Sequence, residues 1–237
     1  MSSQKEWSST LKKELQYQGA SIVAFADLHE LPEEVCQGYP YGISIGVALN
    51  PRIVAQIAEG PTSDYEAEYN RVNHLLGALA ESGTQYLQKQ GFRALPAATT
   101  LTKLDDVSLA TALPHKTVAT RAGVGWIGKC ALLVTKEFGS AIRLTTVLTD
   151  TELPPALAVN NSFCGDCHAC MDVCPVGAPT GIEWHAGMPR DRIYDAFACY
   201  RQTGQWMGVR NLTHHICGMC IAVCPWTQHY LRGRELE

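Results

Sequence analysis

The chain has 237 residues, of which 46% are hydrophobic and 18% are charged, and its formal net charge is −4. This composition excludes a disordered chain, because enough apolar side chain is present to build a core, and it excludes collagen-like and coiled-coil proteins. The small negative charge argues against a large nucleic-acid interface, which needs many Lys and Arg side chains facing phosphates. The chain shows no secretory signal pattern and no apolar run long enough to cross a membrane, so we expect a cytoplasmic protein without a membrane span.

Apolar spacing and turn residues predict alternating helices and strands over the first 150 residues. This alternation is typical of an α/β or α+β domain. The predicted elements are a helix over 5–18, strands over 21–28 and 41–50, a long helix over 64–90, a strand over 92–100, a short helix over 114–122, and a hairpin of 131–138 with 140–150 around Gly139.

The composition changes at residues 151–161, where Pro154-Pro155 and Asn160-Asn161 mark a domain edge. Eight of the ten cysteines follow this edge, between Cys164 and Cys224. The sequence therefore predicts two domains, an α/β domain over 1–155 and a cysteine-rich domain over 156–237.

The first cysteine motif has the spacing of a bacterial ferredoxin. Cys164, Cys167 and Cys170 are each separated by two residues, and Cys174-Pro175 follows after three more. In ferredoxins this run binds one 4Fe–4S cluster through its first three cysteines, and the fourth cysteine ligates a second cluster. A structural zinc site is the alternative, but it needs four ligands and leaves the other cysteines unused.

The second motif, Cys217-x2-Cys220-x3-Cys224-Pro225, lacks the middle cysteine of the run. A second cluster with local ligands Cys217 and Cys220 then needs another ligand besides Cys174, and Cys199 is the one clustered cysteine left. The predicted ligand sets are Cys164, Cys167, Cys170 and Cys224 for the first cluster, and Cys174, Cys199, Cys217 and Cys220 for the second. Two further cysteines remain: we interpret Cys36 as a small buried hydrophobe, and Cys130 stays open.

Several segments together resemble the epoxyqueuosine reductases, cobalamin-dependent iron–sulfur reductases related to reductive dehalogenases. They are RAGVGWIGKCALLVT over 121–135, VLTDTELP over 147–154, the first cysteine run, and ICGMCIAVCPW over 216–226. The YGISIGVAL strand and the SDYEAEYNRVNHLL helix stand in the expected order. The resemblance covers nearly the whole chain.

The resemblance implies an α+β protein in which a nitroreductase-like sheet-and-helix domain precedes a ferredoxin-like domain with two 4Fe–4S clusters. It also implies a bound cobalamin, with a flavin as the less favoured substitute. An external donor of the flavodoxin or ferredoxin type would supply electrons. The segment that lines the corrinoid in the family corresponds here to Gly125, Trp126, Ile127, Gly128 and Lys129. Glycines allow close backbone approach to a flat ligand, and Trp offers a stacking face.

Two departures from the family bear on the substrate. The chain ends soon after Cys224, without the helical-repeat region that grips tRNA in the family. The acidic proton donor expected a dozen or so residues before the AG of RAGVGW is also missing, and His115 is the candidate replacement because histidine exchanges protons near neutral pH. We therefore expect a small molecule or a modified nucleoside as substrate. The alternatives are a non-catalytic ferredoxin-type electron carrier and a truncated tRNA epoxyqueuosine reductase.

Overall fold

The computed structural model describes residues 2–99 and 108–233, with side chains described from Trp7 onward. The helices in these ranges are α1 Ser2–Tyr17, α2 Pro51–Val54, α3 Ser63–Lys89, α4 His115–Arg121, α5 Ala169–Asp172, a 3₁₀ turn at Arg190–Arg192, α6 Ala196–Arg210, α7 Met219–Ala222 and α8 Pro225–Gly233. The strands are β1 Ile22–Asp27, β2 Tyr41–Ala48, β3 Ala94–Pro96, β4 Trp126–Ile127, β5 Leu133–Val134 and β6 Ile142–Thr149. The mixed helix-and-sheet class predicted from the sequence is confirmed.

The chain divides into two compact units that interleave along the sequence. The first unit comprises Met1–Val47, Val72–Val124 and Arg143–Val159. The second comprises Ala48–Arg71, Gly125–Ile142 and Asn160–Glu237. These units describe packing, whereas the predicted boundary between residues 155 and 156 concerns functional domains and stays a prediction.

The first unit is built on a four-stranded sheet with the order β1–β2–β6–β3. Strands β1 and β2 are antiparallel, with Ile22 opposite Gly46 and Asp27 opposite Tyr41. Strand β3 is antiparallel to β6. Strand β2 is buried along nearly all its length, which explains why its sequence reads as a continuous apolar run rather than an alternating one.

Helices α1 and α3 supply the apolar residues that cover this sheet. Leu11 and Leu15 of α1, four residues apart on one helix face, are both fully buried. Gly83 of α3 brings the helix backbone close to its neighbours, since a Cβ there would lie 3.7 Å from both Leu15 and Val147. The predicted pairing of apolar positions in the first helix is therefore confirmed.

A second part of this core surrounds Cys36, which is only 3% exposed. Burial raises the pKa of its thiol, as expected for a cysteine that packs as a small apolar side chain. The interpretation of Cys36 from the sequence is confirmed. The buried members of this cluster are Ala26, Leu28, Cys36, Val118, Ala122 and Leu148.

The predicted hairpin of 131–138 with 140–150 is wrong. Strand β5 pairs instead with β4 in an antiparallel hairpin, with Ile127 opposite Leu133. Strand β6 joins the four-stranded sheet, where its neighbours are β2 and β3. The turn that joins a strand pair therefore spans residues 128–132 rather than lying at Gly139.

Gly139 closes a short loop for a reason that local sequence does not reveal. Its carbonyl accepts the Thr135 N–H at 2.9 Å, and its own N–H donates to the Thr135 carbonyl at 3.1 Å. It has a left-handed φ of +56°, and a Cβ at this position would lie 2.2 Å from the backbone nitrogen of Thr227. The Thr227 hydroxyl also accepts the Ser140 N–H at 3.1 Å. Gly139 thus permits close packing against a residue far along the chain.

Candidate functional site

The first cysteine motif folds as a tight loop that leads into the one-turn helix α5. The Cys167 N–H donates to the Cys164 carbonyl at 3.1 Å within the loop. Gly165 adopts a left-handed φ of +53° there, a conformation that favours glycine. Cys170 lies in α5, and Cys174 follows the end of that helix. All four cysteines are half-buried and none forms a disulfide.

Lys129 places a buried positive charge against this loop. Its Nζ donates to the carbonyl oxygens of Gly165 at 2.6 Å and Cys167 at 3.1 Å, although the residue is only 8% exposed. The contact with Cys130 and burial raise the pKa of the Cys170 thiol, and the charge of Lys129 acts in the opposite direction. A buried ammonium needs such acceptors, and here they belong to the backbone of the loop predicted to carry an anionic cluster.

The second motif repeats this local architecture. Cys217 precedes the one-turn helix α7, Cys220 lies within it, and Cys224 stands directly before α8. Gly218 has a φ of +85° and fits closely against Ile57, whose Cδ1 would lie 2.5 Å from a Cβ at that glycine. Helices α5 and α7 contact each other, so the two cysteine motifs are neighbours within the second unit.

Cys224 lies close to the first motif. Burial raises the pKa of its thiol, and the backbone N–H groups of Thr227 and Trp226 act in the opposite direction by stabilising the thiolate. The thiol of Cys164 is close enough to raise the same pKa further. The last cysteine of the second motif therefore faces a cysteine of the first.

A second group of neighbouring thiols forms around Cys199 of α6. Burial raises the pKa of Cys199, and the nearby Cys174 raises it further. Burial likewise raises the pKa of Cys217, with Cys199 and Cys174 as contributing neighbours. These three residues fall within the predicted second ligand set, and ligation itself stays a prediction.

Cys130 lies between the two groups. Its residue is 5% exposed, and its thiol forms hydrogen bonds with Cys170 and with Cys220. Cys170 belongs to the predicted first set and Cys220 to the second. The cysteine that the sequence left open is therefore a buried thiol in contact with both motifs.

The spacing of these thiols bears on the zinc alternative. Within residues 2–99 and 108–233, no three His, Cys, Asp or Glu side chains converge as the ligands of one metal ion do. Around zinc, with bonds of about 2.3 Å, tetrahedral sulfur atoms would lie only about 3.8 Å apart. An iron–sulfur cube holds its four thiolates at separate corners and so needs wider spacing. The described side chains therefore show no group arranged for a single zinc ion.

Two aromatic residues that the sequence analysis missed face the second group of thiols. The hydroxyl of Tyr194 forms a hydrogen bond with the thiol of Cys199. The indole N–H of Trp206 lies near the thiol of Cys217, where it acts against the larger effect of burial, which raises the pKa of that thiol. The seven-residue spacing of Cys199 and Trp206 places both on one face of α6, which is the sequence signal that could have found Trp206.

The segment predicted to line a corrinoid is buried throughout. Trp126 is 2% exposed, Ile127 6% and Lys129 8%, and Gly125 and Gly128 are buried as well. The Trp126 ring packs edge to face against the rings of Phe163 and Trp226, with centroids 5.3 Å and 5.2 Å away.

The glycines of this segment allow other atoms of the same chain to pack closely against its backbone. A Cβ at Gly125 would lie 2.1 Å from the carbonyl oxygen of Val134, and one at Gly128 would lie 2.8 Å from the Val134 side chain and 3.5 Å from the Sγ of Cys164. These residues do not form an open platform for a flat ligand. Their contact with a corrinoid stays a prediction.

His115, the candidate proton donor, is the first residue of α4. Its Nε2 lies 3.0 Å from the Ala98 carbonyl and its Nδ1 lies 2.9 Å from the Thr146 hydroxyl. Burial lowers the pKa of His115, and the nearby charge of Arg143 acts in the same direction. Since a carbonyl only accepts, Nε2 carries the proton and the neutral ring accepts from Thr146. A catalytic role for this histidine stays a prediction.

Comparisons with known proteins add to this geometry. Residues 157–180 match the family model described as a 4Fe-4S binding domain. The epoxyqueuosine reductase of Pseudomonas aeruginosa is 32% identical over 219 residues, which cover 87% of this chain and 56% of that protein. The Escherichia coli K12 enzyme is 32% identical over 118 residues, which cover 48% and 30%. This chain thus corresponds to part of the length of its relatives.

Solved structures show the same fold. The epoxyqueuosine reductase of Streptococcus thermophilus superposes with a TM-score of 0.59 at 21% identity, covering 93% of this chain and 66% of that one. A reductive dehalogenase structure that suggests a mechanism for B12-dependent dehalogenation superposes with a TM-score of 0.70 at 16% identity, covering 95% and 33%. The protein therefore contains a 4Fe–4S binding domain. Its predicted resemblance to the epoxyqueuosine reductases is confirmed.

The helices were also compared with the requirements of a membrane span. Within the part of the chain that the structure describes, none combines the length and the apolar character needed to cross a membrane.

Proposed function

We propose that this chain is an iron–sulfur reductase of the epoxyqueuosine reductase type that acts on a small molecule or a modified nucleoside. The observation that carries the proposal is the arrangement of half-buried thiols, free of disulfide bonds, in two neighbouring groups. The curated relatives that the chain matches are epoxyqueuosine reductases. The proposed ligands are Cys164, Cys167, Cys170 and Cys224 for one 4Fe–4S cluster, and Cys174, Cys199, Cys217 and Cys220 for the other.

Bound clusters would supply one-electron transfer. The chain's own contribution is to hold the thiols and to set their surroundings. Lys129 fixes the first loop through two backbone carbonyls, and its charge offsets part of the negative charge that thiolates bring. Ala178 donates its N–H to the Sγ of Cys174 at 3.3 Å, and such donors stabilise cluster ligands.

Cobalamin is the proposed second cofactor, and the support for it comes from relatives. The fold is shared with a reductive dehalogenase whose structure concerns B12-dependent chemistry. A flavin is the proposed substitute should the protein not bind a corrinoid. His115 is proposed as a proton source, which would require its Nε2–H to exchange the Ala98 carbonyl for the substrate.

We also propose two domains, an electron donor and a location for the protein. Residues 1–155 would form a nitroreductase-like domain and residues 156–237 a ferredoxin-like domain. A flavodoxin or ferredoxin would deliver electrons. The cytoplasm suits the protein because its reducing conditions keep clustered thiols free to bind iron.

Anaerobic reconstitution with iron, sulfide and cobalamin tests the proposal. We expect about eight iron and eight acid-labile sulfide per chain, together with a corrin absorption band that co-elutes with the protein. Cys36→Ala is the matched control, because Cys36 is buried in the apolar core and its loss should leave the iron content unchanged.

Two results would contradict parts of the proposal. Iron near four per chain would leave only one cluster. Intact clusters without bound corrin or flavin would favour the alternative of a ferredoxin-type electron carrier.

A tRNA substrate is the other alternative. A solved epoxyqueuosine reductase with 17% identity carries an epoxyqueuosine-modified tRNA stem loop, whereas this chain has a net charge of −4. Binding of a tRNA stem loop that weakens steeply with salt would support this alternative, and absence of such binding would leave the small-molecule substrate.

A further inference from the structure

The indole N–H of Trp206 is buried near the Cys217 thiol but completes no hydrogen bond within the described chain. Among the described residues, the buried side-chain nitrogen and oxygen atoms that lack a hydrogen-bond partner are the Nε1 atoms of Trp126 and Trp206 and the Oγ of Ser44. A buried donor without an acceptor costs free energy. Such a group in a native fold therefore points to an acceptor that the protein chain itself does not provide.

The Trp206 ring is held in one position by its neighbours. A Cβ at Gly60 would lie 3.3 Å from the ring, so the glycine lets the backbone approach closely there. The Arg210 guanidinium lies over the ring at 5.2 Å. The direction of the indole N–H is thus fixed by packing.

The same face of α6 lies along the segment that leads to Cys217. Thr203, which is between Cys199 and Trp206 on this face, contacts the Nδ1 of His215 through its hydroxyl at 3.0 Å. His215 also stacks on Tyr200 with ring centroids 4.1 Å apart. These contacts bring the start of the second motif alongside α6, where Trp206 acts on Cys217.

Tyr194 approaches the same group of thiols from the segment before α6. It is half-buried, and its hydroxyl forms a hydrogen bond with Cys199. A tyrosine phenol carries its proton at neutral pH and can donate it to a thiolate. One O–H and one N–H donor therefore point to two cysteines of a single predicted ligand set.

We propose that Tyr194 and Trp206 donate hydrogen bonds to the sulfur atoms of the second cluster and thereby make that cluster easier to reduce. Reduction adds negative charge to the cluster sulfurs and thiolates, and nearby donors stabilise that charge. Both are positioning residues that act through the ligands. This inference rests on the proposed function, because it requires a cluster on Cys174, Cys199, Cys217 and Cys220.

Reductive titration of the reconstituted protein, followed by electron paramagnetic resonance, tests the inference. We expect Trp206→Phe to lower the midpoint potential of one cluster and leave the other unchanged. Loss of one charge-assisted donor should change the reduced-to-oxidised ratio at fixed potential by on the order of tenfold, which equals about 59 mV for a one-electron couple. Tyr194→Phe should shift the same cluster in the same direction.

Matched controls separate donation from packing. Trp184→Phe removes another buried indole of the second unit, and Tyr86→Phe removes a phenol that donates to the Trp7 carbonyl. Both should leave the two potentials unchanged. Replacing Trp206 with its benzothiophene analogue keeps the shape of the ring and removes only the N–H, so it serves if the phenylalanine variant fails to assemble its clusters.

The outcomes are distinguishable from failure of the proposed function. Unchanged potentials in the Trp206 and Tyr194 variants, with eight iron per chain retained, would overturn this inference alone. An equal shift in the Trp184→Phe control would overturn it as well. Only four iron in the unsubstituted protein would instead remove the second cluster on which the inference depends.

Discussion

The Nζ of Lys129 lies 2.6 Å from the carbonyl oxygen of Gly165, at the start of the first cysteine motif. The family resemblance assigns Lys129 to a corrinoid, yet its ammonium is engaged by the loop between Cys164 and Cys167. Hydrogen bonds from charged groups contribute about 1.5–3 kcal/mol each. Lys129 is therefore expected to determine how firmly the first motif keeps its shape.

Replacing Lys129 with Met should accelerate loss of the first cluster. The substitution keeps the aliphatic chain but leaves two backbone carbonyls of the loop without their charged donor, so we expect at least tenfold faster iron release to a chelator, from a loss of about 2 kcal/mol. Decay of the visible cluster absorption measures the rate. Lys136→Met, at an exposed position of the same unit, is the control. Equal release rates for the two variants would argue against an anchoring role.

The assignment of ligands to two sets predicts different losses for two single substitutions. Cys224→Ser should remove the cluster that contains Cys164, and Cys199→Ser should remove the one that contains Cys174. Each variant should retain about four iron per chain, with different paramagnetic signals. If both variants lost the same signal, the division into sets would be wrong.

Cys130→Ala tests whether the buried thiol between the motifs is a ligand. It contacts one cysteine of each set but is surplus to both, so about eight iron per chain should remain. Loss of its two thiol contacts should lower stability by about 1 kcal/mol, measured as unfolding of the iron-free protein. A drop in iron content would make Cys130 a ligand and require a new division.

His115 should make stability depend on pH. Burial lowers its folded pKa below the unfolded value near 6.5, so below about pH 6.5 the unfolded chain binds more protons and the free energy of unfolding falls with the pH. His115→Gln should flatten this part of the profile. Denaturant unfolding at several pH values measures it, with His74→Gln, at an exposed position of α3, as control.

The same histidine carries the proposed catalytic role. His115→Ala should lower turnover by on the order of 10² while the iron content stays constant. Unaltered turnover would remove His115 from the mechanism and leave it a buried structural group.

Gly125→Ala should destabilise the protein strongly. Its Cβ would lie 2.1 Å from the Val134 carbonyl oxygen, so the β4–β5 hairpin must shift, at about 3 kcal/mol. Gly77→Ala is the matched control, since nothing lies within 4 Å of its Cβ and alanine favours a helix interior by roughly 0.5–1 kcal/mol. Thermal unfolding distinguishes the two, and equal stabilities would mean that Gly125 is not needed for the hairpin.

Elements with strong local patterns could be predicted from the sequence. Leu11 and Leu15 signal α1 through their helical spacing, and the apolar run of β2 signals a buried strand. The cysteine motifs could be found because cluster ligation depends on spacing within a short loop. Contacts between residues far apart in the sequence leave no such local pattern. Gly139 resembled a hairpin turn, whereas its conformation is required by packing against Thr227.

In the candidate site too, features with a local sequence pattern could be predicted and contacts between distant residues could not. Spacing alone identified the clustered cysteines, and Cys199 followed from counting ligands. Lys129 could be named only through the resemblance, and its actual partners depend on how residues 125–142 pack against the loop that begins at Cys164. Tyr194 carries no sequence signal, and Trp206 carries only its helical spacing from Cys199. The roles proposed for both depend on the direction of one O–H and one N–H, which the chain sets by packing.

The contact of Thr227 with Gly139 and Ser140 also affects the entropy of cofactor assembly. The hydrogen bond from Ser140 to Thr227 joins residues 87 positions apart, and Thr227 follows shortly after Cys224. Closing so long a loop restricts the chain, and the cost rises only slowly with further length. Because backbone and hydroxyl groups close it, iron and sulfide would meet thiols that are already gathered. The binding energy of a cluster would then be available for its retention rather than for ordering the chain.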